Sequence, residues 1–582
     1  MPFSLHHEVS VADARAHLLE IQTVVRSDTP LAGPITLFMP VWTPGSYLVR
    51  EYARHVEGFA CVGAPVEKVR KNAWKVGAAG AREVTVRYRL YCNELTVRTN
   101  HLDETHAFLN GAATFLAVDG EETAPASLSF SLPEGWKIAT PLPRGTDGSF
   151  QARDLDTLVD DPIELGRFRE ESFAVLGKAH RYVIWPEDRV TDADMERLVQ
   201  DTRTVLETEA RLFDGGLPYD DYLILLHLSP RGRGGLEHRS SCSLLANPAA
   251  FATRDAYLDL LALVAHECFH AWNVKRLRPL GLTPYRYQEE NYTRLLWWFE
   301  GATAYYDWRV LRLAKLCTVE EYLDHLATEM GQLELTHGRL VHSLEEASFD
   351  AWIKLYRPDE NTANSSVSYY RKGEVVCAMM DLELRARTGG RVSLESVLLY
   401  LWESYGVKGV PVPEAAMQGI FERVAEVPLA DLFGAWIRAP GEIDHAETLA
   451  SVGLRLERGD PASAGRASLG VRARAEGGRV VIATVTRGSA AQKGGIDPGD
   501  ELIALAGRRV EGGLEAALLG LTPKEEVTAV VARDGRLVNL KLVLDELRSE
   551  RTRFVARPEA SPEERARLAA WLGDPHPAWG TP

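Results

Sequence analysis

Long apolar runs are missing from these 582 residues. No stretch approaches the roughly 18 to 20 apolar residues that cross a bilayer, so no membrane-spanning helix is expected. The opening segment MPFSLHHEVSVADARAHLLE breaks every apolar run with His, Glu, Asp or Arg. A secretory leader needs a positive start and an unbroken apolar stretch; without one, the expected location is the cytoplasm. Cysteine is scarce as well. Cys61, Cys92, Cys242, Cys268, Cys317 and Cys377 lie far apart and form no CxxC pair, which argues against a zinc ribbon and against a disulfide framework. Reduced, mostly buried thiols are predicted. Positive charge is outnumbered, with 66 Lys and Arg against 82 Asp and Glu and a net charge of −16. That balance favours solubility and argues against a nucleic-acid partner.

What remains is an ordinary globular composition, 45% hydrophobic and 25% charged, in a chain too long for one core. Residues 1–170 read as an all-β domain. In the run 82–90, Val84, Val86, Tyr88 and Leu90 alternate with Thr85, Arg87 and Arg89, the period of two of a strand with one buried face. Leu128, Phe130 and Leu132 repeat it. Residues 171–450 change character. DADMERLVQDTRTVLETEARLF (192–213) is charged and helical, YLILLHL (222–228) is a nearly continuous apolar strand suited to a covered sheet, and helical signals dominate from 255 to about 438. Residues 459–468 are small and polar, a linker or a loop between early strands. Strands and turns return over 451–546. The tail, 547–582, ends in a helix with Ser561 as N-cap, Pro562 in the first turn and Glu564 closing a capping box; Leu568 and Leu572 then share a docking face. The fold class is multidomain α+β.

The chemistry concentrates in 261–272, LALVAHECFHAW. Its His266-Glu267-Cys268-Phe269-His270 is an HExxH motif. On a helix the two histidines project from one face and reach one metal ion, while Glu267, about 100° round, reaches the attacking water instead. A catalytic zinc needs a third protein ligand and an open position. In LLWWFEGATAYYDW (295–308) a single carboxylate, Glu300, interrupts an aromatic apolar helix. A buried carboxylate needs a partner, and a metal supplies one; the alternative is a salt bridge to Arg276 or Arg294. Asp307 is placed to orient a histidine from behind. Gly234-Gly235-Leu236-Glu237-His238 follows the apolar strand, with glycines that admit a close backbone and Glu237 at a cleft rim. Tyr369 and Tyr370, in SYYRKGE (368–374), offer a hydroxyl for a developing oxyanion.

This order resembles the gluzincin aminopeptidases: Gly-x-x-Glu, then HExxH, then a Glu on a later helix, then Tyr-x-Lys-Gly. Glu237-His238 where the larger alanyl and leucyl family has Glu-Asn, the run AWNVKRLRP (271–279) and the N-terminal MPVWTPGSYLVREYARHV (39–56) are similar to the PDZ-bearing glycyl aminopeptidase family. The resemblance covers nearly the whole chain. It implies a thermolysin-like catalytic domain over 171–450, one zinc per chain on His266, His270 and Glu300, Glu267 as the base, Glu237 holding the substrate's free α-amine beside Gly234 and Gly235, and Tyr370 as oxyanion donor, with the adjacent Tyr369 as the other choice. It also implies small N-terminal residues, Gly or Ala, as preferred substrates. Phe299 stands where the larger family commonly has Asn. The run 484–510, with Ser489-Ala490-Ala491, Gly494-Gly495-Ile496 and Pro498-Gly499-Asp500, resembles a bacterial-type PDZ domain, and Leu469-Gly470-Val471 would bind a peptide's C-terminal carboxylate. The chain's own end, Gly580-Thr581-Pro582, is a poor ligand for such a loop. A zinc endopeptidase on the same scaffold, and a peptide-binding scaffold with a vestigial metal site, are the competing readings.

Overall fold

The computed structural model describes residues 3–459, 464–548 and 551–577. Part of the small, polar 459–468 run and the last five residues therefore lie outside the described residues. The chain divides into two compact units. The first comprises the residues up to Thr293 with Tyr306–Leu316 and Leu398–Met417; the second comprises Arg294–Tyr305, Cys317–Val397 and the residues from Gln418 onward. This division runs through the 171–450 span.

In the first unit the N-terminal half is β. A six-stranded sheet has the order Phe150–Ala152, Ala126–Ser131, Phe3–Asp13, Leu18–Ser27, Glu83–Tyr91 and Val56–Cys61. Strand Glu83–Tyr91 buries alternate residues, Val84, Val86, Tyr88 and Leu90, so the period-two pattern does face a core. Two four-stranded sheets complete the domain, one of them built from Lys137–Ala139, Ile163–Gly166, His106–Leu109 and His101–Leu102. A five-stranded sheet follows, in the order Arg169–Val175, Lys178–Trp185, Asp221–Leu228, Ser241–Ala246, Gly234–Glu237. Its central strand Asp221–Leu228 runs parallel to both neighbours and is buried from Tyr222 to Leu228, as a strand covered on both faces must be. Phe108, Ala139 and Phe168 pack with Val183, Leu223 and Leu225, which carries apolar core from the N-terminal domain to this sheet. Helix Asp192–Leu212 is capped by Thr191.

The second unit holds a helical lobe, including Val319–Leu335 and Tyr369–Arg387, and a C-terminal PDZ sheet in which Val471–Glu476, Arg479–Val485, Glu501–Leu505, Glu526–Arg533 and Arg536–Val543 are neighbours in that order. The tail helix Pro562–Leu572 starts with a complete Ser561–Glu564 capping box. It buries Leu568, Trp571 and Leu572. The Trp571 indole donates to Tyr305 Oη at 3.0 Å, and Tyr305 donates to Asp381 at 2.7 Å. Among the described residues no helix is long and apolar enough to cross a membrane. None of the six cysteines is in a disulfide, and five of them are buried.

Candidate metal centre and active site

Helix Arg254–Phe269 begins at a Thr253 cap and is buried on nearly every side. It packs on strand Ser241–Ala246 and on the edge strand Gly234–Glu237. His266 lies in its last turn. His270 lies one residue beyond the helix, but its φ of −61° and ψ of −18° keep it helical, so the four-residue spacing still brings the two rings together, with centroids 4.8 Å apart. Each ring is held from behind. His266 Nδ1 is 3.2 Å from Asp307 Oδ2, and His270 Nδ1 donates to the Asn273 carbonyl at 2.8 Å. With both Nδ1 atoms engaged in this way, Nε2 is the nitrogen that carries the lone pair, the tautomer a metal takes. The residues present thus suit a borderline metal such as zinc.

Two carboxylates stand beside His270: Glu237, Glu267 and His270 each offer a ligand-type atom within 4.8 Å of the other two, and all three are buried. Glycines make room for both acids. A Cβ on Gly235 would collide with the Glu267 carboxylate, and one on Gly45 would lie 2.6 Å from Glu237 Oε1. Gly45 has φ +86°, so a side chain there meets backbone strain as well. Gly234 is looser: a Cβ there would meet only the Arg98 guanidinium, at 3.4 Å. Arg98 itself donates to the Gly235 carbonyl at 3.1 Å. The glycine of WTPGSYL thus serves Glu237 across nearly two hundred residues, and no spacing rule announces it.

A buried charge cluster adjoins Glu237. Lys275 Nζ is 2.5 Å from Asp160 Oδ1, and His238 Nδ1 is 3.7 Å from the same oxygen. Burial would raise the Asp160 carboxyl, but Lys275 and His238 together hold it far below the usual carboxylate range. Burial would likewise lower Lys275, yet the charges of Asp160, Tyr285 and Glu237 hold it above its ordinary value. His238 and Lys275 belong to the two runs that set this sequence apart from the larger aminopeptidase family; Asp160 carries no sequence signal. Arg276 donates to the carbonyls of Arg239 and Ala271, each at 2.8 Å, and Arg294 lies over the Phe349 ring.

The second unit carries Glu300 and Tyr370. Glu300 is not inside a helix but at the junction between Leu296–Phe299 and Gly301–Leu313, in right-handed helical conformation, and is 2% exposed. Helix Tyr369–Arg387 crosses this junction at two glycines. A Cβ on Gly301 would sit 2.6 Å from Gly373 Cα, and one on Gly373 would sit 2.8 Å from Gly301 Cα. That close crossing places the Tyr370 phenol in the field of Glu300. Burial first, and then the Glu300 charge, push its pKa well above the ordinary tyrosine value, so it stays a hydroxyl donor. Tyr370 Oη is 3.5 Å from Tyr356 Oη. Tyr369 is fully buried.

In the PDZ domain Leu469 is a core residue, 1% exposed. Gly470 has φ +69°, and a Cβ there would meet the Ser489 side chain. Its N–H donates to Ser468 Oγ at 3.0 Å, and Val471 opens strand Val471–Glu476.

Comparison with known families matches residues 6–167 to the peptidase M61 N-terminal domain, residues 259–376 to the M61 glycyl aminopeptidase domain and residues 467–544 to a PDZ domain. Among solved structures, the chain is similar to an aminopeptidase N family protein from Idiomarina loihiensis, with 28% identity and a TM-score of 0.90 over 98% of this chain and 100% of that one. An M1 zinc metallopeptidase from Deinococcus radiodurans is 13% identical with a TM-score of 0.48, over 76% of this chain and 94% of that one. Leukotriene A4 hydrolase from Saccharomyces cerevisiae is 15% identical with a TM-score of 0.46, over 76% and 69%. No curated protein matches. The chain thus carries an M61 N-terminal domain, an M61 glycyl aminopeptidase domain and a PDZ domain in that order, and is a metallopeptidase of the aminopeptidase type.

Proposed function

We propose that this peptidase is a zinc aminopeptidase that removes the first residue of peptides with a free N-terminus, preferring Gly or Ala there. His266, His270 and Glu300 hold the ion, Glu267 is the base, Glu237 the amine anchor and Tyr370 the oxyanion donor. The observation that carries the reading is the arrangement round His270: both HExxH rings are engaged through Nδ1, and two buried carboxylates, Glu237 and Glu267, converge beside His270. One carboxylate is enough for general-base work; the second answers to a cationic substrate group. Glu300 is assigned from its sequence order after HExxH, and Tyr370 over Tyr369 from its place beside Glu300. The preference for small residues rests on the family resemblance.

Zinc, when bound, supplies Lewis-acid polarisation of the scissile carbonyl and acidifies water in its open position. Glu267 takes the proton from the attacking water and passes it to the departing amine. Tyr370 donates to the oxyanion that develops at the carbonyl. Glu237 accepts the substrate's α-ammonium, so only the first peptide bond reaches the base. The PDZ loop Leu469–Val471 is proposed to take a C-terminal peptide.

The test compares initial hydrolysis rates of a glycyl-amide reporter and its N-acetylated twin, with a leucyl-amide for side-chain preference. The free glycyl substrate should be cleaved, the blocked twin should not, and the leucyl compound should be slower. Comparable cleavage of the blocked twin would make the protein an endopeptidase and strip Glu237 of its role. Peptide binding without any hydrolysis would favour the scaffold reading. Glu267→Gln should retain zinc and lose about 100- to 10,000-fold in kcat; near-normal turnover would remove Glu267 as base.

A further inference from the structure

Well apart from the HExxH motif in the sequence, three side chains meet inside the first unit. His106 opens strand His106–Leu109, Glu164 lies in Ile163–Gly166 and His227 in Asp221–Leu228. The first two strands belong to the N-terminal domain and the third is the centre of the five-stranded sheet. In the antiparallel register Gly166 pairs with His106 and Glu164 with Phe108, so Glu164 and His106 are diagonal neighbours on one face. Gly166, at φ +136°, is forced to be glycine: a Cβ would lie 2.6 Å from His106 Cα.

The three residues are at most 1% exposed. One ligand-type atom from each lies within 4.8 Å of the other two. His227 Nε2 and Glu164 Oε2 are 2.9 Å apart. The other polar atoms of the group, Glu164 Oε1, His227 Nδ1 and both ring nitrogens of His106, have no hydrogen-bond partner among the described residues. Buried polar groups are normally satisfied, so a single His–Glu contact leaves most of this cluster unaccounted for.

We infer that His106, Glu164 and His227 form a second metal site, for a divalent ion of the zinc type, which ties the N-terminal β domain to the catalytic sheet. Two imidazoles and a carboxylate are a zinc donor set, at about 2.0–2.2 Å per bond and hence about 3.3 Å between ligand atoms in a tetrahedron; the group, whose atoms lie within 4.8 Å of one another, would contract to that size on binding. The surroundings are those of a metal ligand. Asp103 Oδ1 is 3.5 Å from His106 Nδ1 and is itself fixed by the Thr105 N–H at 2.7 Å, the Thr105 hydroxyl at 2.6 Å and the His106 N–H at 3.0 Å. That carboxylate makes no hydrogen bond to the ring, but its charge lies on the Nδ1 side and would favour the tautomer with N–H there and Nε2 toward the ion. Trp185 stacks on the His106 ring at 3.6 Å, and Phe108 stands edge-on to His227 at 5.0 Å, so neither ring swings freely. This site is independent of the proposed catalytic one and raises the expected metal content to two ions per chain.

The experiment counts zinc per chain by inductively coupled plasma mass spectrometry on desalted, zinc-loaded full-length protein. Wild type should hold two equivalents, and Glu164→Gln and His227→Gln one each. His270→Ala, which empties the proposed catalytic site, should also hold one. Zinc should raise the melting temperature of His270→Ala but not that of the His270→Ala/Glu164→Gln double variant. Equal zinc counts in wild type and Glu164→Gln would overturn the second site; equal counts in wild type and His270→Ala would instead overturn the catalytic assignment. Should Glu164→Gln fail to fold, cobalt-loaded His270→Ala decides: intense visible d–d bands support a tetrahedral site, and their absence overturns it.

Discussion

At the residue scale, the glycines round the two carboxylates make the sharpest demands. Gly45→Ala combines a positive φ with a collision at Glu237. A displacement near 1 Å can cost about 100-fold, so kcat/KM on a free-amine substrate should fall by about that factor while zinc content stays at the wild-type level. An unchanged kcat/KM would mean that Glu237 does not touch the substrate. Lys372, of the Tyr-x-Lys-Gly run, makes a prediction about pH. Its side chain is fully buried, its Nζ has no hydrogen-bond partner among the described residues, and burial lowers its pKa from 10.5 to about 8. Between about pH 8 and 10.5 the unfolded chain therefore binds more protons than the folded one, and stability must rise with pH across that window. Below pH 8 the full cost is present, about 3 kcal/mol from the size of the shift. Lys372→Met should unfold at higher urea at pH 7, and its midpoint should be flat where that of wild type climbs.

At the scale of elements, the crossing of Gly301 and Gly373 holds helix Tyr369–Arg387 against the Glu300 junction at backbone contact. Gly373→Ala must push the two apart. Glu300 and Tyr370 then separate, and kcat should drop by about 10- to 100-fold with KM little changed, because the oxyanion interaction exists only in the transition state. A rise in KM alone would place Tyr370 in ground-state binding. The HExxH helix, the Ser561–Glu564 cap of the tail helix and the strand Asp221–Leu228 are all legible in the sequence, because caps and helical and strand periodicities are local. The four-residue histidine spacing survives even though the helix ends at Phe269, since His270 keeps helical dihedrals. Glu300 was expected within a helix and instead sits between two, where Gly301 gives way to the neighbouring helix; that break follows from a partner seventy residues on.

At the scale of the molecule, Asn364 clamps the helical lobe to the PDZ domain, donating to the Val485 carbonyl at 2.8 Å and accepting from the Arg487 N–H at 2.8 Å. Asn364→Ala would strand both groups, at about 1–3 kcal/mol each where buried. Limited proteolysis in the 459–468 segment should accelerate while peptidase activity on a short amide persists; unchanged cleavage would show the two parts held together by other contacts. The sequence by itself determined the HExxH pair, the domain order and the family resemblance, because these rest on residues a few positions apart and on motifs in sequence. Only the tertiary structure decided which glycine shelters Glu237, that Asp160 joins His238 and Lys275, and that His106, Glu164 and His227 meet. Those contacts join strands and loops dozens to nearly two hundred positions apart, and no local periodicity carries information about which distant side chains a folded sheet will bring face to face.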